Sequence, residues 1–376
     1  MPANLHTLDH PCLLIIAQCL LDPKSVGILG LVHPRIRQET SHVMLQADPV
    51  ELCLDEPRLV ESFCAFAFGQ SSSGRPRYVH LRHLSITCQG YNLLVIPPFP
   101  SESLLQLLSK LKLLSLNTDL NTGNGLGYEP IYTLQSPSPC KLPEVKYISG
   151  MACGLHLICL DTKVHCLYLH YNERTNCKDG MIQNVCGTLQ PQVLCFNLAS
   201  GEPPDSLLGA IKASKSTLEA LEIDIYCTVA ESSTENPFRA TLMTLQLVMY
   251  KLANTDVKYV SLRFDIPPDR KGILSGELVD LFQENLLSDL RQYTIEPRKL
   301  RSRGLQEVLL SFYPAANAIP IRCVKWMETG TGISPCCSGT VHEQTPQQQV
   351  AWRHDVLGER HASKFDCIEQ RAVFLR

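Results

Sequence analysis

The sequence predicts an α/β chain in which a three-helix N-terminal module precedes an irregular repeat solenoid with a curved parallel sheet. Three observations carry that expectation. Residues 8–45 hold short apolar runs of helical period, separated by prolines. From residue 81 to residue 321 an apolar-x-x-apolar-x-apolar pattern recurs nine times. Helix-periodic runs fall between several of its copies, as a parallel sheet with right-handed crossovers requires.

Composition bounds the answer first. A chain of 376 residues fits a small module plus a larger repeat domain, and 44% hydrophobic residues supply apolar material for a core. Charged residues make up 19%, below the ~25% of an average soluble protein, which predicts long surfaces packed on neighbouring units. A formal net charge of −3 argues against a general nucleic-acid binder, since phosphate contacts need clustered Lys and Arg. The short basic run Arg298–Arg303 reads as a solvated loop.

Seventeen cysteines raise the question of a disulfide scaffold. Their number is odd, no secretory signal is read at the N-terminus, and the sequence contains no Asn-x-Ser/Thr acceptor. Cys88, Cys159, Cys166 and Cys195 occupy apolar, strand-like contexts, where a free thiol behaves as a small hydrophobe. The expected compartment is therefore reducing, cytoplasmic or nuclear. The longest apolar run, Leu13–Leu21, is interrupted by Gln18 and is too short to span a bilayer, so no membrane association is expected.

The N-terminal module is expected over 5–46. Leu13, Ile16, Ala17 and Leu20 share one face of a first helix. Asp22-Pro23 opens a second, because Asp caps free N–H groups and Pro needs no donor in the first turn. Val26, Leu29, Leu31 and Val32 follow on it, and Pro34 opens a third helix carrying Ile36, Val43 and Met44. Three short helices make a small core, so their apolar faces are expected to meet a partner.

Taken in order, Leu8, Ile16, Leu20, Asp22-Pro23-Lys24-Ser25, Leu29-Gly30-Leu31-Val32 and Arg35-Ile36-Arg37 resemble the F-box motif. That resemblance covers about a ninth of the chain. It implies docking onto the Skp-type adaptor of a cullin–RING ubiquitin ligase. The docking residues it implies are Leu8, Pro11, Leu13, Ile16, Leu20, Pro23, Val26, Leu29, Leu31, Val32 and Ile36.

After a linker with one helix at 47–78, the repeats are expected over 79–328. The pattern reads LRHLSI at 81, LKLLSL at 111, VKYISG at 145, VHCLYL at 164 and VLCFNL at 193. It continues as LEALEI at 218, VKYVSL at 257, LRQYTI at 290 and IRCVKW at 321. The eight intervals average 30 residues, room for one strand and one helix each. LHLICL at 155 also fits, which leaves the register around 145–170 open. Helices are expected near 101, 205, 239 and 275. The first should bury Leu104, Leu105 and Leu108, and the second Leu207, Leu208 and Ile211. This arrangement resembles the divergent leucine-rich-repeat proteins that follow an F-box in fungi, especially mushroom-forming ones. Residues 119–143 read as a long loop, and 329–376 as a poorly ordered tail.

Catalytic motifs are absent: no Gly-x-Ser-x-Gly elbow, His-Glu-x-x-His helix or phosphate-cradling loop occurs. Gly123-Asn124-Gly125-Leu126-Gly127 runs into Tyr128-Glu129-Pro130, so no helix N-terminus follows to receive a phosphate. Cys323, Cys336, Cys337 and His342 lack the spacing of structural zinc, because the paired cysteines are adjacent. His165 and His170 flank a strand and are expected on opposite faces. No cofactor or metal is expected. The chain thus reads as a non-catalytic receptor that holds the adaptor through its helices and an unidentified target protein through its sheet. The alternative is a repeat scaffold without a ligase link. A third reading, an α/β enzyme, would require a cleft at the strand ends.

Overall fold

A computed structural model describes residues 50–53, 57–70, 74–88, 102–120, 141–142, 144–170, 179–199, 205–214, 216–226, 257–266, 307–314, 322–328 and 339–343. It is an α/β structure built on parallel strands, and it divides into two compact units. The first unit comprises residues 1–164 and 173–181, the second 165–172 and 182–376.

In the first unit, strands β1 (Val50–Cys53), β2 (His83–Cys88), β3 (Ser115–Leu120) and β4 (Tyr147–Met151) pair in sequence order, all parallel. Helix α1 (Pro57–Phe68) opens on a proline that needs no intrahelical donor. It buries Val60, Cys64 and Ala67 and packs on β1 and on α2 (Glu102–Lys110). On α2 the buried residues are Leu104, Leu107 and Leu108; the predicted Leu105 is only partly covered. Glu102 in its first turn and Lys110 in its last complement the helix dipole. Helix α1 falls in the linker at 47–78 where one helix is expected, whereas β1, unexpected there, extends the parallel sheet. Alternation alone hides a strand of four residues.

Helix α3 (Ala152–Ile158) follows β4 without a loop, and Cys159 closes it in the left-handed conformation, φ 50°. The LHLICL segment is therefore largely helical, not a strand. This short helix explains why only 19 residues separate the pattern copies at 145 and 164. It also corrects the expected strand context of Cys159.

In the second unit, β5 (Cys166–His170), β6 (Val193–Ala199), β7 (Ala220–Tyr226), β8 (Tyr259–Ile266) and β9 (Glu307–Pro314) are parallel neighbours in sequence order. Helix α4 (Asp179–Leu189) precedes β6, and α5 (Asp205–Ala213) precedes β7. On α5 the buried set is Ser206, Leu207, Ala210 and Ile211; Leu208 is partly exposed. One sheet face carries Leu167, Leu169, Leu194, Phe196, Leu221, Ile223, Ile225, Val260, Leu262 and Phe264, all buried. These are alternate residues of their strands, which is why they share a face.

Strand register corrects two copies of the repeat. Leu84 pairs with Leu116, and Leu167 with Leu194. The units equivalent to LRHLSI therefore begin at Leu113 and Pro191, two residues away from the copies expected at 111 and 193. With those starts the spacing is 32 and 32 residues in the first unit, then 27 and 27 between the first strands of the second. The expected strand at 290 falls outside the described residues. The parallel neighbour of β8 is β9 instead, where LQEVLL at 305 carries the same pattern.

At the C-terminal end the sheet changes sense. Strand β10 (Arg322–Glu328) pairs antiparallel with β9, and β11 (Gly339–Glu343) antiparallel with β10. IRCVKW was expected to be a further parallel strand. Only residues 315–321 separate β9 from β10, and a parallel return needs a crossover of a dozen residues or more. Strand β11 lies inside the segment expected to be a tail.

One backbone device repeats at the strand entries. The carbonyl of Arg82 accepts the N–H groups of both Leu114 and Ser115, and that of Leu114 accepts those of Lys146 and Tyr147. In the second unit His165, Gln192 and Glu219 act alike, toward Gln192/Val193, Glu219/Ala220 and Lys258/Tyr259. All ten bonds lie between 2.7 and 3.2 Å. Each of β3, β4, β6, β7 and β8 is thus registered on the residue that precedes its neighbour. Among the described residues no helix is long and apolar enough to cross a membrane.

Candidate functional site

The eleven residues expected to dock an adaptor, Leu8 to Ile36, lie outside the described residues, as do the basic run at 298–303, the glycine-rich turn at 123–127 and the helices expected at 239 and 275. The polar groups of interest gather on the sheet face opposite the apolar one, and most of them, from His83 and Ser85 to Glu222 and Ser311, are buried. Alternation places Ser, Asn, His, Tyr and ionisable residues there in both units.

In the first unit, Glu51, Ser85, Asn117 and Ser149 are paired across the four strands. The Asn117 amide donates to the Ser85 hydroxyl at 3.1 Å. One rung away, His83 Nδ1 and the Ser115 hydroxyl are hydrogen-bonded at 2.7 Å. A serine beside a histidine invites a nucleophilic reading. The Ser115 N–H, however, is already donated to Arg82, so it is not free to hold an oxyanion. Chemically the row offers short hydrogen-bonding groups on a rigid sheet.

The second unit carries the charged part of the face. Register aligns Tyr168, Cys195, Glu222, Ser261 and Leu309 in one row, and Asn197, Asp224, Arg263 and Ser311 in the next. The Tyr168 hydroxyl donates to Asp224 Oδ2 at 2.9 Å. It reaches β7 over the small Cys195 of β6. Arg263 stands 3.6 Å from Glu222 Oε1 through Nη1 and 3.4 Å from Asp224 Oδ1 through Nε. Glu222 is almost wholly buried, whereas the Arg263 side chain keeps 17% of its surface accessible. Two carboxylates from one strand thus share the guanidinium of the next. A buried arrangement of this kind costs desolvation that its mutual attraction must offset.

His170 closes the row on β5, its ring edge-on to Tyr168 with centroids 4.7 Å apart. Burial pushes its imidazole from 6.5 down to about 4, so it is neutral at pH 7. His165 instead bonds the Gln192 side chain at 2.7 Å. The two histidines engage different partners, and no group of metal-ligating residues is found among the described residues. Cys323 and His342 fall on β10 and β11, while Cys336 and Cys337 lie outside the described residues.

Cys53, Cys64, Cys159, Cys166, Cys186 and Cys195 form no disulfide, as the sequence leads one to expect. Cys166 and Cys195 are buried with sulfurs 3.9 Å apart, on the polar face and not the apolar one. Register sets them two residues out of step on adjacent strands, a diagonal too long for a disulfide without backbone movement. Burial pushes the Cys64 thiol up to about 11 and the Cys186 thiol up to about 12, which makes both poor nucleophiles.

A shallow depression of about 610 Å³ lies where α5 ends and β7 and β8 begin, lined by Lys212, Ser216, Thr217, Glu219 and Lys258. Lys258 and Glu219 face each other across it at 3.5 Å, exposed to solvent, where an ion pair contributes little.

Sequence reasoning located β2 to β8 among the strands that build the polar face, but missed β1, β9 and the central cluster. Glu222, Asp224 and Arg263 each fill an ordinary outward position of an alternating strand, and only register brings them together. The one available signal was the pair of acidic residues at outward positions in LEALEID, opposite an arginine in VKYVSLRF. No family model, curated protein or solved structure matches this chain.

Proposed function

We propose that this protein is a non-catalytic substrate receptor of an SCF-type cullin–RING ubiquitin ligase. Its N-terminal helices would hold the Skp-type adaptor, and the polar face of its leucine-rich-repeat-like sheet would recruit a target protein. The observation that carries the reading is a juxtaposition in sequence. An F-box-like run, with Asp22-Pro23-Lys24-Ser25 and Leu29-Gly30-Leu31-Val32, stands ahead of parallel strands that alternate with helices. The repeated two-donor carbonyl at strand entries supports treating the strands within each unit as a stacked repeat. In such a receptor the chemistry is positioning, and other subunits transfer ubiquitin.

The test is co-expression of the full chain with the Skp-type adaptor and cullin, followed by capture on this chain. The adaptor and cullin should accompany the wild-type protein and be lost from an Ile16→Asp/Leu20→Asp variant. Absence of both from the wild-type capture would sink the reading.

One observation favours a second reading, a repeat scaffold that binds a protein partner without any ligase. F-boxes typically begin Leu-Pro, whereas Leu8 is followed by Asp9. In that case Leu13, Ile16 and Leu20 would pack on the first repeat, and their substitution would destabilise the chain instead of releasing an adaptor.

A further inference from the structure

We draw no further inference here: the strongest candidate, the Tyr168, Glu222, Asp224 and Arg263 cluster on the polar face of the second unit's sheet, belongs to the site already described, and nothing in the structure shows what covers it.

Discussion

Tyr168 and Asp224 are joined by a 2.9 Å hydrogen bond that passes over an entire strand, from β5 to β7. The bond exists because β6 presents Cys195 beside Tyr168, leaving room above it. A buried hydroxyl bonded to a carboxylate is worth about 1.5–3 kcal/mol. Tyr168→Phe should lower the unfolding free energy by that amount in a urea titration, with a smaller loss when introduced into Asp224→Asn. Equal losses in the two backgrounds would show that the pair is not coupled.

Arg263 is shared between Glu222 and Asp224, so removing it leaves two acidic groups facing each other in a buried site. Arg263→Ala should cost about 3–5 kcal/mol, whereas Arg263→Met combined with Glu222→Gln and Asp224→Asn should recover most of it. Calorimetric melting of the two variants checks this. A single variant as stable as the wild type would contradict the network.

His170 gives the fold a defined response to acid. Its folded value of about 4 lies below the unfolded value of 6.5, so the unfolded chain binds the proton more readily. The stabilisation due to the neutral ring is complete above pH 6.5. It is lost progressively as the pH falls from 6.5 toward 4. The melting temperature measured between pH 7.5 and 4.5 should therefore drop more for the wild type than for His170→Phe. Identical slopes would show that the ring is not desolvated.

Gly150 sits opposite Thr118 on β3 with φ at +151°. A Cβ at this place would collide with the hydroxyl and carbonyl oxygens of Thr118. Gly150→Ala should cost at least about 1–3 kcal/mol, the range for overpacking, with added strain from the backbone angle. Thr118→Ser should leave that cost largely in place, because serine keeps both the hydroxyl and the backbone carbonyl that meet the added Cβ. Thermal denaturation of the two single variants and the double variant reads both outcomes.

Much of the sheet is legible from alternation, because Leu84/Ile86, Leu167/Leu169, Leu221/Ile223 and Val260/Leu262 are buried apolar residues two apart that share one face of their strands. The two slipped copies show where the signal ends. At 113–118 the last apolar place is taken by Thr118, buried yet polar, so LKLLSL two residues earlier looked the better match. At 191–196 the first place is Pro191, so VLCFNL two residues later is the better match to the pattern. The antiparallel end of the sheet is not legible in the strands themselves, because a strand's own residues carry no direction; only the short 315–321 connection does. The charged cluster was illegible for a different reason. Residues 168, 222, 224 and 263 meet through register across strands, and no local period encodes that meeting.

The proposed role as a ligase receptor is tested most directly by direct binding. The purified full-length chain is titrated with the purified Skp-type adaptor, and association is read by calorimetry and by co-elution on size exclusion. A stable complex of one chain with one adaptor is predicted, lost in Ile16→Asp/Leu20→Asp while that variant keeps the wild-type unfolding transition. No association by the wild-type chain at high micromolar concentration would contradict the role and leave the scaffold reading in its place.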